Sequence, residues 1–503
     1  MAQQLALLLG FATVAFVLLL SLKRKIIPGR KDDLDRPLLA WSKRDSLSVR
    51  DLLAGGLLVL GITGGGKSSS SGRQISRALV RDKNSYGIVL AAKPEDLPMW
   101  EQIFTQEGQR ERLLIFDGKE STLRFNFLDE VSRNGGGARD ITQCITIIGE
   151  TLRAGNRRGG GQNEAFFAAQ EERTIHHTVE ILRAANVAVT ASNIQQFIIT
   201  AAQNIEQFYD PAWRRGFHSQ CLEAAHKASK TPIQEHDFRQ ATDFWCSEMI
   251  KMSDRTKSSI LAGVFGTLFV FNSGLVHERV STETNFTFEE MRRRRQWLLV
   301  NTSPSEYGPN GTFIGSGFKY LMQRHVLRQV AKEGDPIHIC WVDEAGQSAN
   351  QFDAEYICQS RSHRGCLIFL AQSIHSFHTS MKGENGKYQT LALLGNFGHR
   401  ICHVLGEIES AEWASSTLGR RSETHIGGSM QPGGSVFDEF LGNSRFTGSF
   451  STQYEPVLQP AVFMSGLRSG GPANDYLCDA ILIRPGKAFS TGENWIRVTF
   501  SQR

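Results

Sequence analysis

Gly61, Gly66, Lys67 and Ser68 fall at the spacing GxxxxGK[ST] inside Leu57 to Arg73, LLVLGITGGGKSSSSGR. The chemistry that needs this spacing is the holding of nucleotide phosphates. Glycines let backbone N–H groups converge on the β-phosphate, Lys67 reaches the β- and γ-phosphates, and the Ser68 hydroxyl can ligate Mg²⁺. Thr63, Gly64, Gly65 and Ser69 belong to the same loop. A flexible linker has a similar glycine and serine content, but linkers are not led in by Leu57-Leu58-Val59-Leu60, which reads as a buried strand.

A second group of residues supplies what the loop lacks. The run Ile337-His-Ile-Cys-Trp-Val ends in Asp343-Glu344. Asp343 at the end of a buried strand can hold the Mg²⁺ shell, and Glu344 can polarise a water for attack on the γ-phosphate. That acid pair favours a motor-type ATPase over a small-molecule kinase or a GTPase. Gln372 closes another apolar run, Cys366-Leu-Ile-Phe-Leu-Ala, where open α/β sheets place ligand-reading residues. His399 and His403 invite a metal reading, but in an extended strand they would stand about 13 Å apart and are not a chelating pair. Arg292 to Arg295 either lines a phosphate-binding passage or forms a solvated surface loop.

These residues must be carried by a sheet. Leu57–Leu60, Tyr86–Ala91, Leu113–Asp117, Gln296–Asn301, Ile337–Asp343 and Cys366–Ala371 are short apolar runs alternating with helical stretches, the pattern of an α/β fold with parallel strands and crossovers. A helix is expected from about Ser68 to Val80. Between about 131 and 290 the pattern becomes helical. Ser192 with Gln195 reads as a capping box, Thr231 with Gln234 as a second with Pro232 at the first helical position, and Phe166, Phe167, Ile175, Ile181 and Leu182 as a buried stripe. The division expected is an anchor at 1–25, a connector at 26–50, the nucleotide-binding core at 51–130 and 291–425, an all-helical insertion at 131–290, and a strand-rich C-terminal segment at 426–503 packing on the core.

The chain has 503 residues, 40% of them hydrophobic, enough for two or three domains with real cores. A formal charge of +5 permits a polyanionic partner without arguing for one. Eight cysteines without a C-x-x-C pair fit free thiols in a reducing compartment. Leu5 to Leu22 carries no charge and would span ~27 Å as a helix, nearly a bilayer core. Lys23, Arg24 and Lys25 follow it at once. The run lacks the basic lead and small-residue cleavage site of a signal peptide. The positive-inside rule then gives an N-out, C-in single-pass anchor with the bulk of the chain cytoplasmic.

With these residues in place the chain resembles the type IV coupling proteins, the membrane-anchored, RecA-like ATPases of conjugation and type IV secretion. The likeness rests on the N-terminal anchor, GITGGGKS, WVDEAGQ, the SRSHRG to LAQS run, LLGNFGHRICHVLGEIESAEWASSTLG, and DRTKSSI from Asp254 to Ile260, which is similar to the family's all-α domain. It implies a RecA-like P-loop domain with an inserted all-α domain and an N-terminal transmembrane helix, seated in the bacterial inner membrane. It also implies a homo-hexameric ring with ATP and Mg²⁺ between subunits, DNA in a central passage, and partners among secretion-channel or relaxosome proteins. Under the resemblance Lys67 and Ser68 serve phosphate and Mg²⁺, Asp343 the Mg²⁺ shell and Glu344 catalysis. Gln372 senses the γ-phosphate, and Arg361 is the arginine offered in trans, with Arg364 next in line. Family members often carry two membrane helices, and this chain shows one. Two readings follow: an ATP-driven DNA translocase, or a tethered ATPase that docks and unfolds protein cargo.

Overall fold

The computed structural model describes residues 33–119, 121–153, 162–381, 385–431 and 445–503. The apolar stretch Leu5–Leu22 lies outside them. Among the described residues no single helix is long and apolar enough to cross a membrane.

One sheet organises the molecule. Its strands are β1 (Leu57–Leu60), β2 (Ser85–Leu90), β3 (Leu113–Asp117), β4 (Trp297–Asn301), β5 (Ile337–Val342), β6 (Gly365–Ala371), β7 (His399–Cys402), β8 (Leu477–Ile483) and β9 (Trp495–Ser501). Their spatial order is β9-β8-β7-β1-β6-β5-β2-β4-β3. From β7 across to β3 every pairing is parallel, and β8 and β9 join antiparallel at one edge. The central strands are buried on both faces, which is why they read as unbroken apolar runs rather than as alternation. Leu58 and Leu60 face one core, while Leu57 and Val59 face the other. At the edge, β9 alternates buried and exposed residues.

Between β3 and β4 the described residues form helices, among them α2 (Ala138–Arg153), α3 (Gln162–Ala184) and α4 (Asp254–Phe271), which follow α1 (Arg73–Arg81) in the chain. The two ends of this helical stretch are pinned together by aromatics. Phe125 meets Phe288 at 4.6 Å and Phe318 at 5.2 Å between ring centroids, and Phe318 lies on α5 (Pro309–Leu327). A side chain at Gly317 would meet the Phe127 ring at 2.2 Å, so the glycine admits that ring. The described helices between Phe127 and Arg294 thereby share one apolar core with the sheet face that Leu58 lines.

Two local expectations change. The helix Ala191–Ile199 is capped by Thr190, whose hydroxyl accepts from the Asn193 N–H, and not by Ser192. Ser192 and Gln195 instead bond Asn272 from the side of that helix. Phe166 is exposed, whereas Ile175, Ile181 and Leu182 are buried; a long helix drifts its stripe away from the core toward its end. The box of Thr231 and Gln234 with Pro232 forms as read. All eight cysteines are free thiols.

Candidate active site

The phosphate loop leaves the C-terminal end of β1. Gly61 N–H donates to Ala371 O and Ile62 N–H to Val404 O, so the loop is tied to the ends of both neighbouring strands. Gly64 and Gly66 take φ of 75° and 91°, a region side chains disfavour. At Gly66 a Cβ would also sit 2.3 Å from Cys478 Sγ. Ser68 to Gly72 wind as a wide turn in which Gly72 N–H donates to Lys67 O at 2.8 Å, and α1 continues from there. The expected helix therefore starts with a widened turn.

Lys67 is nearly sealed from solvent, and its Nζ donates to Glu344 Oε1 at 3.2 Å. Gln372 Nε2 donates to the same oxygen at 3.2 Å, and Lys93 Nζ lies 3.6 Å from it. Ser68 Oγ donates to Asp343 Oδ2 at 3.4 Å, and Glu344 N–H donates to Asp343 Oδ1 at 2.8 Å. Five expected residues from three separate strand ends thus converge: Lys67 and Ser68 beyond β1, Asp343 and Glu344 beyond β5, Gln372 beyond β6. The order of strands explains this, because β6 lies between β1 and β5.

Glu344 adopts φ 45° and ψ 46°, a left-handed conformation for a residue with a Cβ. Such strain costs on the order of 1–3 kcal/mol and persists where surroundings enforce it. Here the enforcing contacts are the bonds to Lys67, Gln372 and Asp343. Burial raises the Asp343 carboxyl to about 6, with nearby Asp96 adding to it. Asp96 is itself raised by burial, although its carboxylate accepts from the Ala92 and Lys93 N–H groups.

Sequence reasoning missed two supports. Lys93 follows β2 at the same C-terminal sheet edge, and the rule that flagged Gln372 applies to it equally. His403, fully buried beneath the loop, has Nδ1 3.1 Å from Asp479 O and Nε2 2.7 Å from Ser71 Oγ. A carbonyl only accepts, so Nδ1 carries the proton and Nε2 accepts from Ser71. Burial lowers this imidazole to about 4 and keeps it neutral. His399 is buried with neither ring nitrogen bonded among the described residues.

Arg361 and Arg364 are not in this cluster. Both precede β6 and so lie at the opposite edge of the sheet, a strand length or about 23 Å away. Arg364 is buried in a left-handed cap, and its guanidinium is engaged by Asp33 and by Lys332 O. Arg361 is exposed, and its guanidinium makes no hydrogen bond or ion pair among the described residues. The arginine run ends a helix before β4: Arg292 pairs with Asp335 at 3.0 Å and Arg295 is the left-handed cap, while Arg293 and Arg294 are exposed.

A strand, a glycine loop around a lysine, and an acidic pair and a glutamine beyond two further parallel strands define a RecA-like P-loop nucleotide-binding protein. Residues 20–338 match the family of type IV secretory system conjugative DNA transfer, and the chain belongs to that family. The matched stretch stops before Asp343, so the acid pair and Gln372 stand on the geometry above. No curated protein matches the chain. Among solved structures, the bacterial conjugative coupling protein TrwB, solved as TrwBdeltaN70, matches with a TM-score of 0.55 at 13% identity, covering 90% of this chain and 87% of that one. The plasmid coupling protein TrwB in complex with ADP and Mg²⁺ gives 0.56 at 14% identity over 90% and 87%. Its complex with a non-hydrolysable ATP analogue gives 0.56 at 13% over 90% and 88%. These likenesses establish the fold.

Proposed function

We propose that this chain is an ATPase that drives conjugative DNA transfer, hydrolysing ATP between subunits of a homo-hexameric ring anchored in the bacterial inner membrane by residues 1–25. The observation that carries the reading is the convergence of Lys67, Gln372 and Lys93 on one Glu344 oxygen, in a chain of the DNA-transfer family. Family membership favours DNA over protein cargo. Solved structures of the same fold hold an ATP analogue and ADP with Mg²⁺, which supports ATP and Mg²⁺ here.

The residues fit that metal. Ser68 Oγ and Asp343 Oδ2 are hard oxygen donors brought within 3.4 Å of each other, the class of ligand Mg²⁺ takes. When bound, Mg²⁺ would neutralise charge on the β- and γ-phosphate oxygens. Lys67 exchanges Glu344 for phosphate, and Glu344 then takes the proton of the attacking water. Gln372, bonded to Glu344, couples the position of that carboxylate to the γ-phosphate. Arg361 is exposed at the sheet edge opposite its own site, and its guanidinium has no partner among the described residues, as an arginine offered to a neighbouring subunit would be. The secretion channel and relaxosome proteins are the partners this role requires.

The test is ATP turnover with localisation. Wild-type chain is expected in the membrane fraction after carbonate extraction and active as an ATPase, and deletion of residues 1–25 should release a soluble ATPase. A full-length product that is soluble and inactive would refute the proposal.

A further inference from the structure

The strand order fixes which way a bound nucleotide runs. Asp343, Glu344 and Gln372 lie on the β5 and β6 side of the loop, which marks the γ-phosphate end. The nucleoside must therefore lie on the other side, over β7, β8 and β9. β9 runs in the same sense as β1, and β8 in the opposite sense, so the residues before β8 and after β9 both fall on the nucleotide edge of the sheet.

Those residues are already joined to the loop. Gln502 Nε2 donates to Ser69 Oγ at 2.8 Å, and Gln502 Oε1 accepts from the Gly471 N–H at 2.8 Å. Gln502 N–H donates to Tyr476 O at 2.9 Å. The Arg503 guanidinium stacks over the half-buried Tyr476 ring, 4.0 Å from its centroid. The turn that presents this ring is strained. Asp475 and Tyr476, consecutive residues with side chains, have φ of 52° and 59°. Strain of this kind gathers at ligand clamps.

We infer that Tyr476 and Arg503 form the platform on which the nucleobase stacks, with Gln502 setting its distance from the phosphate loop. The inference rests on the nucleotide reading proposed above. A flat ring and a guanidinium take a base by its π face, so the platform accepts ATP and GTP alike and selects for a purine by stacking area rather than by its edge. The C-terminal strands thereby complete the site that β1, β5 and β6 begin.

The experiment is calorimetric titration of the full chain with ATP and with inorganic tripolyphosphate, each with Mg²⁺. Wild type should bind ATP more tightly than tripolyphosphate. Tyr476→Ala should weaken ATP roughly tenfold, as loss of one base–aromatic stack does, and leave tripolyphosphate unchanged. Tyr476→Phe, with the same backbone demand and a retained ring, should keep the wild-type affinity. The inference is overturned if Tyr476→Ala and Arg503→Ala both bind ATP as wild type does, or if ATP and tripolyphosphate weaken together. A wild type that binds tripolyphosphate as tightly as ATP removes the platform alone, whereas a wild type that binds neither removes the nucleotide site itself.

Discussion

Lys67 Nζ and Glu344 Oε1 stand 3.2 Å apart with both side chains nearly closed to solvent, so the cation proposed to bind phosphate and the carboxylate proposed to activate water are each other's counter-ion. Entry of a phosphate must compete with Glu344 for Lys67. Glu344→Gln is therefore expected to bind ATP at least as tightly as wild type while turnover falls by about 10²–10⁴, the range for loss of a general base. Lys67→Ala should lose binding. Calorimetry and phosphate release separate the two, and wild-type turnover by Glu344→Gln would remove the catalytic assignment.

Arg361 is expected to act across a subunit interface. Arg361→Ala and Lys67→Ala subunits should each be inactive alone and regain part of the ATPase when mixed, because some interfaces then pair an intact loop with an intact arginine. Arg364→Ala should instead lower stability, since it removes the buried partner of Asp33. Mixed rings no more active than their parents would leave Arg361 without a role in trans.

The acid pair is followed by a buried network. Lys319 on α5 and Asp353, near the start of the helix Gln351–Gln359, are both fully buried and paired, and Lys319 Nζ also donates to Ser348 O at 2.6 Å. Asp353→Ala would strand a buried cation and should cost about 3–5 kcal/mol. Lys319→Met with Asp353→Leu should recover only part of that loss, because Gln323 Nε2 and the Asn350 N–H still lose their acceptor. Denaturant midpoints of the single and double variants check this, and an unchanged midpoint for Asp353→Ala would contradict it.

Acid should unfold the protein partly through its buried histidines. His338 on β5 is enclosed, with Nδ1 2.9 Å from the Tyr356 hydroxyl, and burial lowers it to about 3. A folded value below the ordinary 6.5 means that the unfolded chain binds the proton first. The stability involved is complete above pH 6.5 and is lost as pH falls toward the folded value. Replacing His338 by Gln removes this titration. Wild-type stability should fall more steeply than that of His338→Gln below pH 6.5, by up to one proton in slope. Parallel curves would exclude His338 from the effect.

Much of this site could be read from local spacing, because GxxxxGKS and a strand-ending Asp-Glu are contiguous in the chain. Gln372 was legible for a topological reason: it ends a parallel strand, and such ends share one edge. Lys93 sits at the same edge but follows its strand after two alanines, and its function depends on which strand lies beside β5. Gln502 and His403 were illegible. Their partners Ser69 and Ser71 are more than 300 residues away, and the contacts exist only because β7, β8 and β9 fold back beside β1. The misread cap at Ser192 has a different cause. Thr190 two residues earlier has the same capping chemistry, and the side-chain bonds of Asn272 to Ser192 and Gln195 are tertiary.

The central claim is that ATP hydrolysis here serves the movement of DNA, and the most direct measurement is ATPase rate against DNA and salt with a soluble fragment beginning near residue 30. The rate should rise when single- or double-stranded DNA is added at low salt, and the stimulation should fade as salt rises, since phosphate contacts lose their counterion-release advantage. Neutralising Arg293 and Arg294, the two exposed members of the arginine run, should flatten that dependence if they touch the backbone. Stimulation by an unstructured polypeptide with none by DNA at low salt would contradict the account.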